Sequence, residues 1–141
     1  MNATPRKSIV LLDDEKSYVD LLSAMLAENL AAPVHTFTRP LDALAALPGL
    51  DPGVVVTDYY MPQLNGFEFI AQAAPKLPGV SFILITGHAV ALAQEDLTHI
   101  KPLKAVLAKP FGWRTLADEI LRHWPEAGGR TPAVAVDPTS L

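Results

Sequence analysis

The chain has no cysteine, which excludes disulfide scaffolds, thiolate zinc sites and cysteine nucleophiles and agrees with a reducing, cytoplasmic setting. No apolar run approaches the roughly 20 residues needed to span a bilayer. The opening Met1-Asn2-Ala3-Thr4-Pro5-Arg6-Lys7 is not followed by a signal-peptide cleavage pattern, so membrane and secreted classes lose support. Basic residues are few and scattered: 11 Lys and Arg against 15 Asp and Glu leave a net charge of -4 and no basic stripe to track a nucleic-acid backbone. There is no Gly-x-x-x-x-Gly-Lys and no Gly-x-Gly-x-x-Gly, which leaves nucleotide binding without a motif. Internal repeats and long low-complexity tracts are also missing.

What is present is a core. Half of the 141 residues are hydrophobic and 18% are charged, enough to fill one domain of ordinary size but not two. Short β-branched runs alternate with longer amphipathic ones, the pattern of a parallel α/β sheet covered by helices on both faces. Five strands are expected: Ser8 to Leu12, Val34 to Phe37, Val54 to Thr57, Val80 to Ile85 and Lys104 to Ala108. Ile9-Val10-Leu11-Leu12, Val54-Val55-Val56 and Phe82-Ile83-Leu84-Ile85 are apolar throughout, as central strands must be, and the other two read as edges. Val19, Leu22, Leu26 and Leu30 recur at steps of three and four, marking a helix for which Asp14 is the expected N-cap. Further helices are expected at Pro40 to Leu47, Gly66 to Ala74, Val90 to His99 and Trp113 to Trp124, punctuated by Pro48-Gly49, Pro52-Gly53 and Pro78-Gly79. Residues 1–6 read as an N-terminal extension, 7–124 as the domain, and 125–141, rich in Gly, Pro, Ser and Thr, as a tail or linker stub.

Polar residues cluster at one end of these strands. Asp13 and Asp14 follow the first strand, Asp58 the third, Thr86 the fourth and Lys109 the fifth. In a parallel sheet with right-handed crossovers every strand C-terminus lies along one edge, and for the order 2-1-3-4-5 the crevice opens between strands one and three. The three aspartates converge there. Three carboxylates repel unless protonated or shared by a cation, and an oxygen-only set without His or Cys suits a hard ion such as Mg²⁺. Three negative charges, two positive from the metal and one from Lys109 sum to zero, leaving a site ready for a phosphoryl group. Plainer readings exist for single residues. Asp13 and Asp14 equally fit a strand end and a helix cap, and Thr86 alone fits a β-branched strand terminus. Asp58 resists such a reading, because a lone carboxylate behind an apolar strand is costly to bury. Lys109 interrupts an apolar strand end before Pro110, where the peptide bond can be cis.

In these residues the chain resembles the receiver domains of bacterial two-component response regulators. The resemblance runs from about Lys7 to Trp124 through Ile9-Val10-Leu11-Leu12-Asp13-Asp14-Glu15, Val55-Val56-Thr57-Asp58-Tyr59-Tyr60-Met61-Pro62-Gln63-Leu64-Asn65-Gly66, Ile83-Leu84-Ile85-Thr86-Gly87-His88 and Leu107-Ala108-Lys109-Pro110-Phe111. It implies a flavodoxin-like (βα)5 three-layer sandwich of strand order 2-1-3-4-5. It implies Asp58 as phosphoacceptor, and Mg²⁺ held by Asp13, Asp14, Asp58 and the backbone carbonyl of Tyr60. Thr86 and Lys109 would contact the phosphoryl group. Such a domain catalyses only its own phosphorylation and dephosphorylation. Its donor is a histidine kinase or a histidine phosphotransfer protein, its output is a partner protein of unknown identity, and homodimer formation is open.

The pattern is broken in three places. Val106 stands where many family members carry an aromatic side chain that swings inward as the threonine moves, so the switch must work differently here. Tyr60 and His88, two residues after Asp58 and Thr86 respectively, are uncommon neighbours for the phosphoryl group. Competing readings are a pseudo-receiver that binds partners without phosphorylation, and a haloacid-dehalogenase-like phosphohydrolase. The latter needs a second Asp where Tyr60 stands, and a cap domain. His35, His99 and His123 sit on no ligand-spaced motif, and Trp113 with Trp124 reads as a pair of packing anchors.

Overall fold

The computed structural model describes residues 7–87 and 100–125. The helix expected at Val90 to His99, His88, the N-terminal extension and the Gly/Pro-rich tail lie outside the described residues. The order is β1 (Ser8–Leu12), α1 (Lys16–Asn29), β2 (Val34–Phe37), α2 (Pro40–Leu50), β3 (Pro52–Asp58), α3 (Gly66–Ala73) with a 3-10 turn at Ala74–Lys76, β4 (Ser81–Thr86), β5 (Leu103–Ala108) and α4 (Trp113–Arg122). All strand pairings are parallel and the sheet order is β2-β1-β3-β4-β5, as expected.

The alternation of side chains along the central strands builds two separate cores. Ile9, Leu11, Val54, Val56, Ile83 and Ile85 face α1 and α4, meeting Val19, Leu22 and Leu26 from the first helix and Leu116 and Ile120 from the last. Val10, Leu12, Val55 and Phe82 face α2 and α3, meeting Leu44, Leu47, Phe69 and Ile70. β1, β3 and β4 are buried along their whole length, while β2 and β5 are only half-buried, as edge strands are. Three layers result, with the sheet in the middle.

Two Pro-Gly pairs do not break the chain where expected. Pro48-Gly49 lies inside α2, which runs three residues past Leu47 to a left-handed Asp51 (φ 47). A proline so near the C-terminal end removes a single helical hydrogen bond, and the buried Leu47 immediately before it holds the segment in place. Pro52-Gly53 opens β3, because proline is accepted at the first residue of a strand. Gly53 belongs there for packing: a Cβ would lie 3.0 Å from the indole of Trp124. That contact also explains why α4 stops at Arg122, short of Trp124. His123 leaves the helical region (φ -107, ψ 15), and the indole tucks beneath β3. Pro78-Gly79 is the turn the sequence suggests, with Gly79 at φ 85.

Candidate functional site: an acidic crevice at the strand ends

β1 and β3 are neighbours, paired Leu12 to Thr57, so the residues that follow them emerge side by side at the C-terminal edge of the sheet. Asp13 is 1% exposed and Asp58 6% exposed, whereas Asp14 faces solvent. One carboxylate oxygen from each of Asp13, Asp14 and Asp58 falls within 4.8 Å of the others. Asp14 does not cap α1. Glu15 holds the N-cap position without a side-chain cap bond, and its backbone N–H donates to Asp13 Oδ1 at 2.9 Å. Capping therefore does not engage the Asp14 carboxylate.

Lys109 reaches the same crevice from the far side. Its peptide bond to Pro110 is cis, and its backbone N–H donates to the Thr86 carbonyl at 2.8 Å, tying the end of β5 to the end of β4. The ammonium donates to Asp13 Oδ2 at 2.8 Å and stands 3.6 Å from Asp58 Oδ2 and 3.9 Å from Glu15 Oε1. Thr86 is fully buried at the end of β4, one residue beyond the Ile85 that pairs with Asp58. Tyr60 is 53% exposed, and its ring stands edge-on to that of Tyr59 at 4.6 Å.

The loop from Asp58 to α3 is held at several points. The Tyr59 N–H donates to Asp58 Oδ1 at 2.9 Å and Gly66 N–H to the Tyr59 carbonyl at 2.7 Å. Asn65 and Glu68 form a reciprocal capping box, both bonds 2.9 Å, which starts α3 beneath the loop. At Gly66 a Cβ would meet Leu84 Cδ1 at 2.5 Å and the Asp58 carbonyl at 2.9 Å. The leucine tip can turn aside but the backbone of the acceptor loop cannot. Gly66→Ala is accordingly expected to cost about 2 kcal/mol in urea unfolding, and an unchanged midpoint would show that the loop yields freely.

Burial first, and then the Asp13 charge, push Asp58 from 3.8 up to about 6, against the opposing pull of Lys109. Burial on its own lowers Lys109. The Asp13 hydrogen bond and the charges of Asp13 and Asp58 outweigh it, and the ammonium is held above its ordinary value. The described carboxylates and the lysine carry three negative charges and one positive, which leaves room for a divalent cation. Oxygen donors alone, two of them buried and close together, fit a hard ion rather than zinc.

The structure thus gathers Asp13, Asp14, Asp58 and Lys109 in one place and sets Thr86 and Tyr60 at its margins. It also adds a residue that sequence reasoning missed. Tyr18, on the first turn of α1, places its ring 4.7 Å from the Lys109 ammonium and meets Phe111 edge-on at 6.3 Å. Burial raises the pKa of its phenol.

The family model of the response regulator receiver domain matches residues 9–121. The chain is 34% identical over 111 residues to the transcriptional regulatory protein FixJ of Bradyrhizobium diazoefficiens, covering 77% of this chain and 52% of that protein. It is 30% identical over 114 residues to the response regulator receiver protein CpdR of Brucella abortus, covering 81% of this chain and 93% of that protein. It spans about half the length of FixJ and 18% of the C4-dicarboxylate transport regulator DctD of Rhizobium meliloti. Among solved structures, a protein of Neptuniibacter caesariensis superimposes with a TM-score of 0.75 at 29% identity, covering 86% of this chain and 89% of that one. A CheY-like receiver domain protein of Methanospirillum hungatei shares the fold, with a TM-score of 0.72 at 23% identity, covering 81% of this chain and 90% of that one. Acidic crevice, sheet order and sequence kinship coincide, and the chain belongs to the response regulator receiver domain family.

Proposed function

We propose that the domain accepts a phosphoryl group on Asp58 from a histidine kinase or a histidine phosphotransfer protein. The observation that carries this reading is the Lys109 ammonium, set between Asp13 at 2.8 Å and Asp58 at 3.6 Å in a crevice that already holds three carboxylates. A carboxylate oxygen of Asp58 forms the O–P bond as the P–N bond to the donor imidazole breaks, and the electron pair returns to the imidazole nitrogen. Lys109 balances charge on the phosphoryl oxygens. Asp13, Asp14, Asp58 and the Tyr60 backbone carbonyl would hold Mg²⁺, which supplies further charge neutralisation when bound. The aspartyl phosphate carries close to two negative charges, and its oxygens recruit Lys109 and the Thr86 hydroxyl.

The consequence is a change of shape that controls partner binding, and a homodimer is one form that output can take. Val106, half-buried on β5 opposite Leu84, lacks the volume to act as an aromatic switch, so the phosphorylated state must be reported by other side chains. Among the described residues no helix is long and apolar enough to cross a membrane, and a cytoplasmic setting suits a kinase-coupled domain.

Incubation with Mg²⁺ and acetyl phosphate, read by intact mass, tests the chemistry. One added phosphoryl mass is expected in the wild type and none in Asp58→Asn. No adduct in either would favour the pseudo-receiver. The half-exposed Tyr60 ring, braced by Tyr59, narrows the approach of water to phosphorus. Tyr60→Asn is therefore expected to speed dephosphorylation several-fold, and an unchanged decay rate would show that the ring shields nothing.

A further inference from the structure

We infer that Tyr18 is a positioning residue, the face of its ring holding the Lys109 ammonium over Asp13 and Asp58. Lysine has a flexible stem and a point charge without directional preference. Here three carboxylates compete for it, and one of them, Glu15, lies 3.9 Å away with a side chain that is 68% exposed. Asp13 and Asp58 hold the ammonium in the crevice by charge, while Glu15 offers it a weaker, solvent-side alternative that charge alone does not bar. The Tyr18 ring, 4.7 Å from the nitrogen, lies within the distance at which an aromatic face attracts a cation. Phe111, edge-on at 6.3 Å and 79°, braces the ring from the segment that carries Lys109 itself.

The hydroxyl does not explain the residue. It is buried and, among the described residues, finds no hydrogen-bond partner through which to anchor the ring or orient the lysine. The ring packs against the core between the sheet and α1, a contact that leucine could also provide. What tyrosine adds to that apolar contact is the negative face of its π-system. For phosphoryl transfer, the inference rests on Asp58 being the acceptor; for the seating of Lys109, it stands without that reading.

Replacing Tyr18 with phenylalanine, trifluorophenylalanine and pentafluorophenylalanine keeps the ring's shape while draining its negative face. The urea midpoint is read in magnesium-free buffer, with Lys109 present and in a Lys109→Met background. The rate of modification by acetyl phosphate is read with Mg²⁺. Tyr18→Phe is expected to keep the wild-type rate, and fluorination to slow it progressively, by about fivefold at the pentafluoro ring. The midpoint should fall along the series only where Lys109 is present. Similar midpoint trends in both backgrounds overturn the inference, as does a rate indifferent to fluorination in a protein that is phosphorylated. If the wild type takes no phosphoryl group, the proposed function fails, and the coupling between ring and Lys109 in the midpoints decides the inference alone.

Discussion

Lys109→Met is expected to lower the stability of the magnesium-free protein by about 3 kcal/mol, although Lys109 lies just past the end of an edge strand and belongs to neither core. The reason is Asp13. Its carboxylate is 1% exposed, and its partners are the Lys109 ammonium at 2.8 Å and the Glu15 backbone N–H at 2.9 Å. Removing the ammonium leaves a buried charge with one neutral donor and two carboxylates close by. Breaking a buried pair from one side typically costs 3–5 kcal/mol. The lysine side chain is 18% exposed, which places the expected loss at the lower end of that range. Urea unfolding in chelator measures it. Excess Mg²⁺ should recover most of the loss, because a cation in the crevice takes over the charge that Lys109 carried. An unchanged midpoint in chelator would contradict the seating of Lys109 between Asp13 and Asp58.

The crevice was legible in the sequence because of how parallel sheets are built. Each strand C-terminus reaches the same edge, so polar residues ending apolar runs are brought together by topology alone. Asp13, Asp14, Asp58 and Lys109 could be placed with no knowledge of packing. The three apolar strands were legible for a similar reason, since only burial on both faces tolerates Val54-Val55-Val56. Residues whose role depends on contact between distant elements were not legible. Tyr18 stands outside the Val19, Leu22, Leu26 and Leu30 stripe and carries no signal of its own until the helix is laid beside the segment after β5 and the ring meets Lys109. Gly53 reads as a turn residue until Trp124 returns from the end of the domain to occupy the space a side chain would need. Local signals misplace such positions because the deciding neighbour lies far away in sequence. The N-cap of α1 is a different case. The Asp13 carboxylate accepts the Glu15 N–H, so the helix begins one residue later than Asp14 suggests.

Asp58→Asn is expected to stabilise the magnesium-free protein at neutral pH by about 2 kcal/mol and to flatten its pH dependence. Burial and the Asp13 charge raise the Asp58 carboxyl from 3.8 to about 6 in the folded state. Below the lower of these values folded and unfolded chains both hold the proton, and the group has no effect on stability. Between them the unfolded chain releases the proton while the folded chain keeps it, so stability falls as the pH rises. Above about 6 both forms are ionised and the whole penalty stands. A shift of this size corresponds to at most about 3 kcal/mol at 1.36 kcal/mol per unit, and solvent reaching the mouth of the crevice reduces it to about 2. Asparagine keeps the shape of the side chain and an oxygen to accept the Tyr59 N–H, but carries no charge to crowd Asp13. Unfolding midpoints followed in chelator from about pH 4 to 7 should therefore diverge, the wild type losing stability across the interval and Asp58→Asn losing less. Parallel curves would mean that the Asp58 charge meets no opposition in the folded protein. In that case the crevice would not hold the crowded carboxylates that make a divalent cation, and after it a phosphoryl group, welcome there.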